Sequence, residues 1–161
     1  MSSRKITRPN DTKAAVKQAA NEMGCDQNGA YVVQVASYMN KYEASSTVKY
    51  KAKAFTRYSY DKALDFVIYS LAEGRAPVMY VYDSKLLGYY DNSFTYYVTI
   101  VGVDTAAGTI TICDSSNNAA YRGVHKITID TFNSLMKGNL STHDGWLVVY
   151  SNTSDGYYTY E

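Results

Sequence analysis

With 161 residues, the chain has the length of one globular domain, which can bury roughly two-thirds of its unfolded surface without a metal ion or a disulfide. Its 16 Lys and Arg residues against 15 Asp and Glu leave a net charge of +1, so no electrostatic argument favours nucleic acid or an acidic membrane as a partner. No run approaches the roughly 20 apolar residues of a membrane span, and the N-terminus has no apolar signal core.

The N-terminal part predicts a tail and two helices. Residues 1–10 are polar and form the predicted tail. A helix capped near Asp11 or Thr12 then runs to Met23, with an apolar stripe at helical spacing that begins at Ala15, and Gly24 ends this helix. After a turn-rich break, residues 30–42 form a second helix that is apolar on most faces and is therefore expected to be central. The N-terminus of such a helix carries a partial positive charge, which would stabilise a thiolate or an oxyanion.

The middle of the chain predicts a strand, a helix, a second strand and a long loop. Residues 48–58 alternate between basic and smaller or apolar side chains, so we expect an extended segment with one solvated basic face. Residues 61–73 predict a third helix, and residues 76–82 predict a buried strand opened by a proline. The loop over residues 83–93 has a length that is often found beside functional clefts. The basic side chains of the first segment are Lys49, Lys51, Lys53 and Arg57.

A β-hairpin is the strongest local prediction. Residues 95–104 and 109–114 are rich in β-branched and aromatic side chains, and the turn-forming residues 105–108 join them. The second strand delivers the carboxylate of Asp114 at its exit. Residues 115–123 then predict a polar loop.

The C-terminal part predicts two further strands and a short helix. Residues 124–129 alternate as a strand, residues 130–136 form a capped helix, and residues 146–150 form the last strand. Helices followed by a mostly antiparallel sheet define an α+β arrangement. We therefore expect one domain over residues 11–150, with residues 151–161 as a tail or the start of a linker.

The sequence does not decide the cellular compartment of the protein. Cys25 and Cys113 allow one disulfide in an oxidising compartment, although two buried free thiols are favoured. The 18 tyrosines and the many Ser, Thr and Asn residues are typical of bacterial secreted or wall-associated modules. We expect a secreted or cell-surface location if a signal peptide has been removed, and a cytoplasmic one otherwise.

This order of elements resembles the papain-like fold in its compact bacterial form, the cysteine peptidases that process double-glycine bacteriocin leaders. In that family a Leu-x-x-Gly-x-Pro-Val phrase leads into a strand reading Gly-His-Tyr-Val-Val-Val-Val-Gly-x-Asp, and a later strand ends in Asp-Pro. The resemblance runs from about Cys25 to Tyr150 and implies N-terminal helices packed on a mostly antiparallel sheet. Four stretches carry it: residues 38–42, Leu71–Val78, Val98–Asp104 and Ile110–Asp114.

The resemblance also implies a site, but two of its chemical groups are substituted. Counting back from the glycine of the strand phrase places Tyr96 where the family has its histidine base. The nucleophile position falls on Asn28 or on Ala30, and neither residue is a nucleophile. Asp114 matches the carboxylate that orients the imidazole. A phenol with an ordinary pKa near 10 cannot act as a base at neutral pH, so the expected thiol chemistry is not supported at these positions.

Cys25 is the residue that could restore a nucleophile, because it lies just before the expected position. It would need a base, and the two histidines of the chain are His125 in a predicted strand and His143 in a polar loop beside Asp144. Neither histidine lies on the strand that faces the helix N-terminus in the family. Isolated His and Cys residues show no spacing typical of metal ligands, so no metal or other cofactor is expected.

Three functions follow from these residues. The first is a catalytically degenerate peptidase-like domain that binds a peptide, another ligand or a neighbouring module through its cleft. The second is an active cysteine peptidase or acyl transferase that uses Cys25, and the third is a structural module of a larger secreted protein. Tyrosines on loops suit recognition, whereas Tyr80, Tyr82 and Tyr97 on strands are expected to cover the sheet. The predicted ligand contacts are Gln27, Tyr89, Tyr90 and Phe94.

Overall fold

The computed structural model describes residues 12–27, 29–42, 50–138 and 143–151, and these ranges form an α+β domain. These ranges contain four α-helices and a six-stranded antiparallel sheet, so the predicted α+β class is confirmed. None of the helices in these ranges is long and apolar enough to cross a membrane. The helices are α1 (Thr12–Met23), α2 (Val32–Lys41), α3 (Ala63–Ala72) and α4 (Ile129–Lys137). The strands are β1 (Tyr50–Phe55), β2 (Val78–Val81), β3 (Tyr96–Asp104), β4 (Thr109–Asp114), β5 (Gly123–Thr128) and β6 (Gly145–Tyr150).

The sheet has the strand order β1-β6-β2-β3-β4-β5, so the last strand of the chain pairs with both β1 and β2. The predicted hairpin is β3 and β4, and the carboxylate of Asp104 accepts a hydrogen bond from the Ala107 N–H in its turn at 2.9 Å. A register shift between Ile100 and Gly102 bends this hairpin. Before this shift, side chains near the start of β3 still alternate inward, as the buried Val98 and Ile100 do.

Two hydrophobic clusters form on the two faces of the sheet. The larger cluster joins α3 and α4 to the inner face, with Val67, Phe132 and Ile112 fully buried. The smaller cluster joins α2 to the opposite face, where Ala36 packs against Val148. Each strand alternates between these faces, so successive side chains contribute to different layers. The strand β6 is covered by helices on both faces of the sheet. Its sequence is therefore almost continuously apolar.

The connection between α1 and α2 is fixed by its backbone. Gly24 has φ of 71°, a left-handed conformation that favours glycine, and the Cys25 N–H donates to the Ala20 carbonyl at 2.9 Å. The Gln34 side chain then joins the two helices. Its oxygen accepts from the Tyr31 N–H at 2.6 Å, and its nitrogen donates to the Gly24 carbonyl at 3.2 Å. This glutamine therefore positions the start of α2 against the end of α1.

The structure differs from the sequence expectations at four points. The second helix was expected to be central, but it lies near the surface, with Ala36 buried and Val33 57 % exposed. Ser151 is 1 % exposed, so the packed part of the chain extends one residue past the predicted boundary. Cys25 and Cys113 are both free, as favoured, but neither is buried: Cys25 is half-buried, and Cys113 is exposed because it alternates with the inward-facing Ile112. The basic face of β1 is not wholly solvated, since the Lys53 Nζ lies 5.2 Å from the centre of the Phe66 ring on α3. The tails predicted over residues 1–10 and 152–161 lie outside the described residues.

The close contact between β6 and α4 predicts that a side chain added at Gly145 destabilises the fold. A Cβ added at Gly145 would meet the backbone of Met136 on α4, at 2.6 Å from its carbonyl carbon. Because backbone atoms cannot move aside as a side chain can, Gly145→Ala is expected to lower the free energy of unfolding by about 1–3 kcal/mol. Chemical denaturation measures this loss.

Gly102→Ala is the matched control. Its φ is not positive, and the added Cβ would lie at an ordinary 3.7 Å from Thr111. Its free energy of unfolding should therefore stay at or slightly above that of the wild type. Equal losses for the two variants would contradict the packing of β6 on α4.

Candidate functional site

The carboxylate of Asp114 lies at the centre of a buried hydrogen-bond network. Its Oδ2 atom accepts from the hydroxyls of Tyr89 at 2.9 Å, Tyr90 at 2.7 Å and Tyr96 at 2.9 Å. Its Oδ1 atom accepts from the Ser116 N–H at 2.8 Å. Asp114 is 1 % exposed, so these four donors replace the water that a carboxylate normally binds.

Strand alternation explains how two members of this network meet. Asp114 ends β4 on the same face as the buried Ile110 and Ile112, and Tyr96 begins β3 on the same face as Val98. Because β3 and β4 are antiparallel neighbours, the start of one lies beside the end of the other. The sequence pattern therefore brings this phenol and this carboxylate to the same end of the hairpin.

The loop between β2 and β3 supplies the other two phenols. Ser84, which is fully buried, anchors it: its hydroxyl donates to the Asn92 carbonyl at 2.5 Å and accepts from the Phe94 N–H at 3.1 Å. A short 3₁₀ turn over Ser84–Leu87 ends at Gly88, whose φ of 82° reverses the chain. The reversal directs Tyr89 and Tyr90 inward.

Aromatic rings enclose the network. The Tyr89 ring stacks on His125 with centroids 3.9 Å apart, and the Tyr90 ring lies 4.2 Å from Tyr121 and 5.3 Å from Tyr96. Burial raises the pKa of Tyr96 well above the usual phenol value, and the hydroxyls of Tyr90 and Tyr89 and then the Asp114 carboxylate raise it further. Tyr96 therefore stays neutral at physiological pH. Its single proton is donated to Asp114, so only its oxygen lone pairs remain to accept a hydrogen bond.

The turn before α2 is fixed to the sheet by a second tyrosine. Asp26 and Gly29 exchange two backbone hydrogen bonds of 3.1 Å, with φ of 97° at Gly29. The Tyr97 hydroxyl then donates to the Ala30 carbonyl at 2.6 Å. Burial raises the pKa of Tyr97 to about 12, with smaller contributions from the neighbouring Tyr80 and Cys25. This bond holds the helix N-terminus over the sheet.

A cleft of about 1160 Å³ lies between the start of α2 and the strands β2, β3 and β6. It brings together side chains from the turn, the sheet and the segment before β6. Tyr96 lies in its wall, so the cleft and the Asp114 network share this residue. The lining residues that carry polar or reactive groups are Cys25, Asp26, Tyr31, Tyr80, Thr95, Tyr96, Tyr97, His143, Asp144 and Trp146.

Three aromatic residues form a continuous row in this cleft. Tyr80 on β2 pairs in register with Trp146 on β6 and with Tyr97 on β3, so the three side chains share one face of adjacent strands. The rings of Tyr80 and Tyr97 lie 5.5 Å apart. At about 4.8 Å between strands, the row extends for roughly 10 Å. We call it the aromatic row.

The structure brings some of the predicted site residues together and leaves others apart. Cys25, Ala30 and Tyr96 line the cleft, and the Tyr96 hydroxyl donates to Asp114 outside it. Gln27 is exposed on the turn and is not among the residues that line the cleft, and Asn28 lies outside the described residues.

The loop residues predicted as ligand contacts have different environments. Tyr90 is 6 % exposed and Tyr89 is half-buried, and both hydroxyls donate to Asp114. Phe94 is 42 % exposed but packs on Tyr90 and Tyr96. The two tyrosines thus belong to the internal network, where their side chains are held by the carboxylate.

Sequence reasoning missed most of the cleft. Tyr80 and Tyr97 were expected only to cover the sheet, and Trp146 was not considered. The alternation of each strand could have placed these three aromatic residues on one face, but their adjacency depends on β6 lying beside β2. His143 and Asp144 enter the cleft for the same reason, because they immediately precede β6.

The described residues contain no group of three or more His, Cys, Asp or Glu side chains that could hold a metal ion. Comparison of the chain with protein-family models, curated proteins and solved structures gives no match. The chemistry of the site is therefore argued from its own residues.

The Asp114 network predicts a graded loss of stability. Tyr96→Phe removes one hydrogen bond to the carboxylate and should lower the free energy of unfolding by about 1–2 kcal/mol. Asp114→Asn replaces an acceptor oxygen with an N–H₂ donor, so several buried donors lose their acceptor at once. We expect a loss of roughly 3 kcal/mol or more from chemical denaturation.

Tyr58→Phe is the control, because Tyr58 is 78 % exposed and lies outside the network. Its effect should stay within about 0.5 kcal/mol. If Asp114→Asn destabilised the protein no more than Tyr58→Phe, the network would not have the structural role described.

Proposed function

We propose that this chain is a catalytically degenerate domain of the papain-like cysteine-peptidase type, which binds a peptide in the cleft between α2 and the sheet. The observation that carries the proposal is the hydrogen bond to Asp114 from Tyr96, a residue that also lines the cleft. The resemblance assigns these two positions to the imidazole base and its orienting carboxylate. A neutral phenol held by the carboxylate takes the place of the base.

The residues at the other reactive position also argue against the family's reaction. The resemblance expects the nucleophile at Asn28 or at Ala30; Ala30 lies two residues before α2, and its side chain has no reactive atom. Tyr96 stays protonated near neutral pH, because its pKa is raised and its hydroxyl donates to Asp114. Its side chain lies on the face of the sheet that carries Val98 and Asp114, opposite the face of the aromatic row. A protonated phenol in this position cannot activate a thiol.

The cleft has the properties of a binding site for several residues of a peptide. Its volume of about 1160 Å³ exceeds the roughly 300–1,000 Å³ that is typical of small-molecule sites. The aromatic row supplies rigid contact area, which side chains with few rotatable bonds provide at low entropic cost. The internal bonds of Tyr96 and Tyr97 fix the cleft walls before a ligand arrives.

Peptide binding is testable through Trp146, the single tryptophan of the chain, because it lines the cleft. We expect Trp-free decapeptides from a sequence-diverse library to change its fluorescence in a saturable way. Tyr80→Ala removes the centre of the aromatic row and should weaken binding of the selected peptides about 10-fold or more. Tyr80→Phe keeps the ring and should retain most of the affinity.

Tyr58→Ala is the matched control, since it removes an exposed tyrosine that does not line the cleft. Its affinity should equal that of the wild type. A library from which no peptide changes the Trp146 emission would contradict the proposed function.

An active peptidase or acyl transferase is the second candidate, and one observation favours it: Cys25 and His143 line the same cleft. In that reaction His143 would take the thiol proton and return it to the leaving amine, while the thiolate of Cys25 would attack the carbonyl to form a thioester. Water, or an acceptor amine in a transferase, would then cleave the thioester and regenerate the thiol. A shifted nucleophile and a shifted base would then replace Ala30 and Tyr96. The degenerate function predicts that this pair does not react.

A peptidyl electrophile such as a peptidyl chloromethyl ketone separates the two functions. Cys113 is an exposed thiol outside the cleft and serves as an internal control. In the degenerate domain Cys25 should be labelled no faster than Cys113, as measured by intact-mass spectrometry. Labelling of Cys25 at least 100-fold faster, and its loss in His143→Ala, would establish the active enzyme instead.

A further inference from the structure

We infer that the cleft selects peptides that carry a positively charged side chain, an inference that rests on the proposed function and specifies its ligand. The charged residues that line the cleft are Asp26 and Asp144, and in the part of the chain that the structure describes no Lys or Arg lines it. Both carboxylates are in exposed positions at the rim. The whole chain has a net charge of +1, so the negative charge is a local property of the cleft.

The aromatic row, which forms the floor of the cleft, also favours a cation, as do the two carboxylates at the rim. A Lys or Arg group is attracted to the faces of Trp and Tyr rings within about 6 Å, and Trp is the strongest partner. The aromatic row offers one Trp and two Tyr rings side by side. A long basic side chain could lay its aliphatic stem on these rings and place its charge near Asp144. Rim and floor therefore favour the same ligand chemistry.

The N-terminus of α2 acts in the opposite direction, because its unpaired N–H groups carry a partial positive charge of about half a unit. The carboxylate of Asp144 alone carries a full negative charge, which exceeds that partial charge. An anionic side chain would also find no Lys or Arg among the described lining residues. The balance of charge therefore favours a cation.

Charged quenchers of Trp146 fluorescence test the sign of the potential without any peptide. At low ionic strength the N-methylpyridinium cation should quench Trp146 several-fold more effectively than iodide, after each is scaled to its quenching of free tryptophan. Salt should reduce this preference, because the Debye length falls to about 3 Å at 1 M. The double variant Asp26→Asn, Asp144→Asn should lose most of it. Equal quenching by the two ions, or stronger quenching by iodide, overturns the inference.

Matched peptides complete the test. Versions of a selected decapeptide that differ at one position, with Lys, norleucine or Glu, are titrated against the full chain by Trp146 fluorescence. We expect the Lys version to bind about 10-fold more tightly than the norleucine version, and the Glu version to bind most weakly. In the double variant the Lys and norleucine versions should bind within about threefold of each other.

Asp65→Asn is the control for charge, because Asp65 is exposed on α3 at the opposite face of the sheet. This substitution also removes one negative charge, but away from the cleft, so the variant should keep the preference for the Lys version of the peptide. If all peptides bind but the Lys version has no advantage, the charge inference is overturned while the proposed function stands. If no peptide of any version binds, the proposed function itself fails and the inference fails with it.

Discussion

The buried carboxylate of Asp114 is the constraint on which this end of the molecule depends. A charge in an apolar core is tolerated only where hydrogen-bond donors replace its lost water. Three phenols and one backbone N–H do so here, and they come from the end of one strand, the start of another and the loop before it. One side chain therefore fixes the loop, the hairpin and the wall of the cleft together. Loss of this charge would release all three elements at once.

Local patterns predicted most of the elements but not their order in space. The β-branched and aromatic residues of 95–104 and 109–114, with a turn between them, predicted the hairpin β3–β4, and the helical spacing up to Met23 with Gly24 behind it predicted α1. These signals are local, because they depend on side chains within a few residues of each other. The insertion of β6 between β1 and β2 depends on contacts between distant parts of the chain. No spacing within one segment contains that information.

The same distinction separates the predicted from the unpredicted parts of the site. Tyr96 and Asp114 were paired in advance, because the resemblance placed both on one hairpin, and they are joined by a hydrogen bond. Tyr89 and Tyr90 were expected to contact a ligand, since a tyrosine on a polar loop looks accessible from sequence. The structure turns both hydroxyls towards Asp114 instead. The aromatic row was not predicted, because its three members come from three strands that are separated in sequence.

The position of β6 also has a consequence for how the protein acquires its structure. β1 pairs with β6, and β6 joins it to β2, so the two halves of the sheet are connected by a strand near residue 150. During synthesis β1 has no sheet partner until that strand has left the ribosome, although the β3–β4 hairpin can form earlier. The cleft, whose floor spans β6, β2 and β3, is therefore a late product of folding. A ribosome-bound chain would gain its hairpin first and its cleft only at the end.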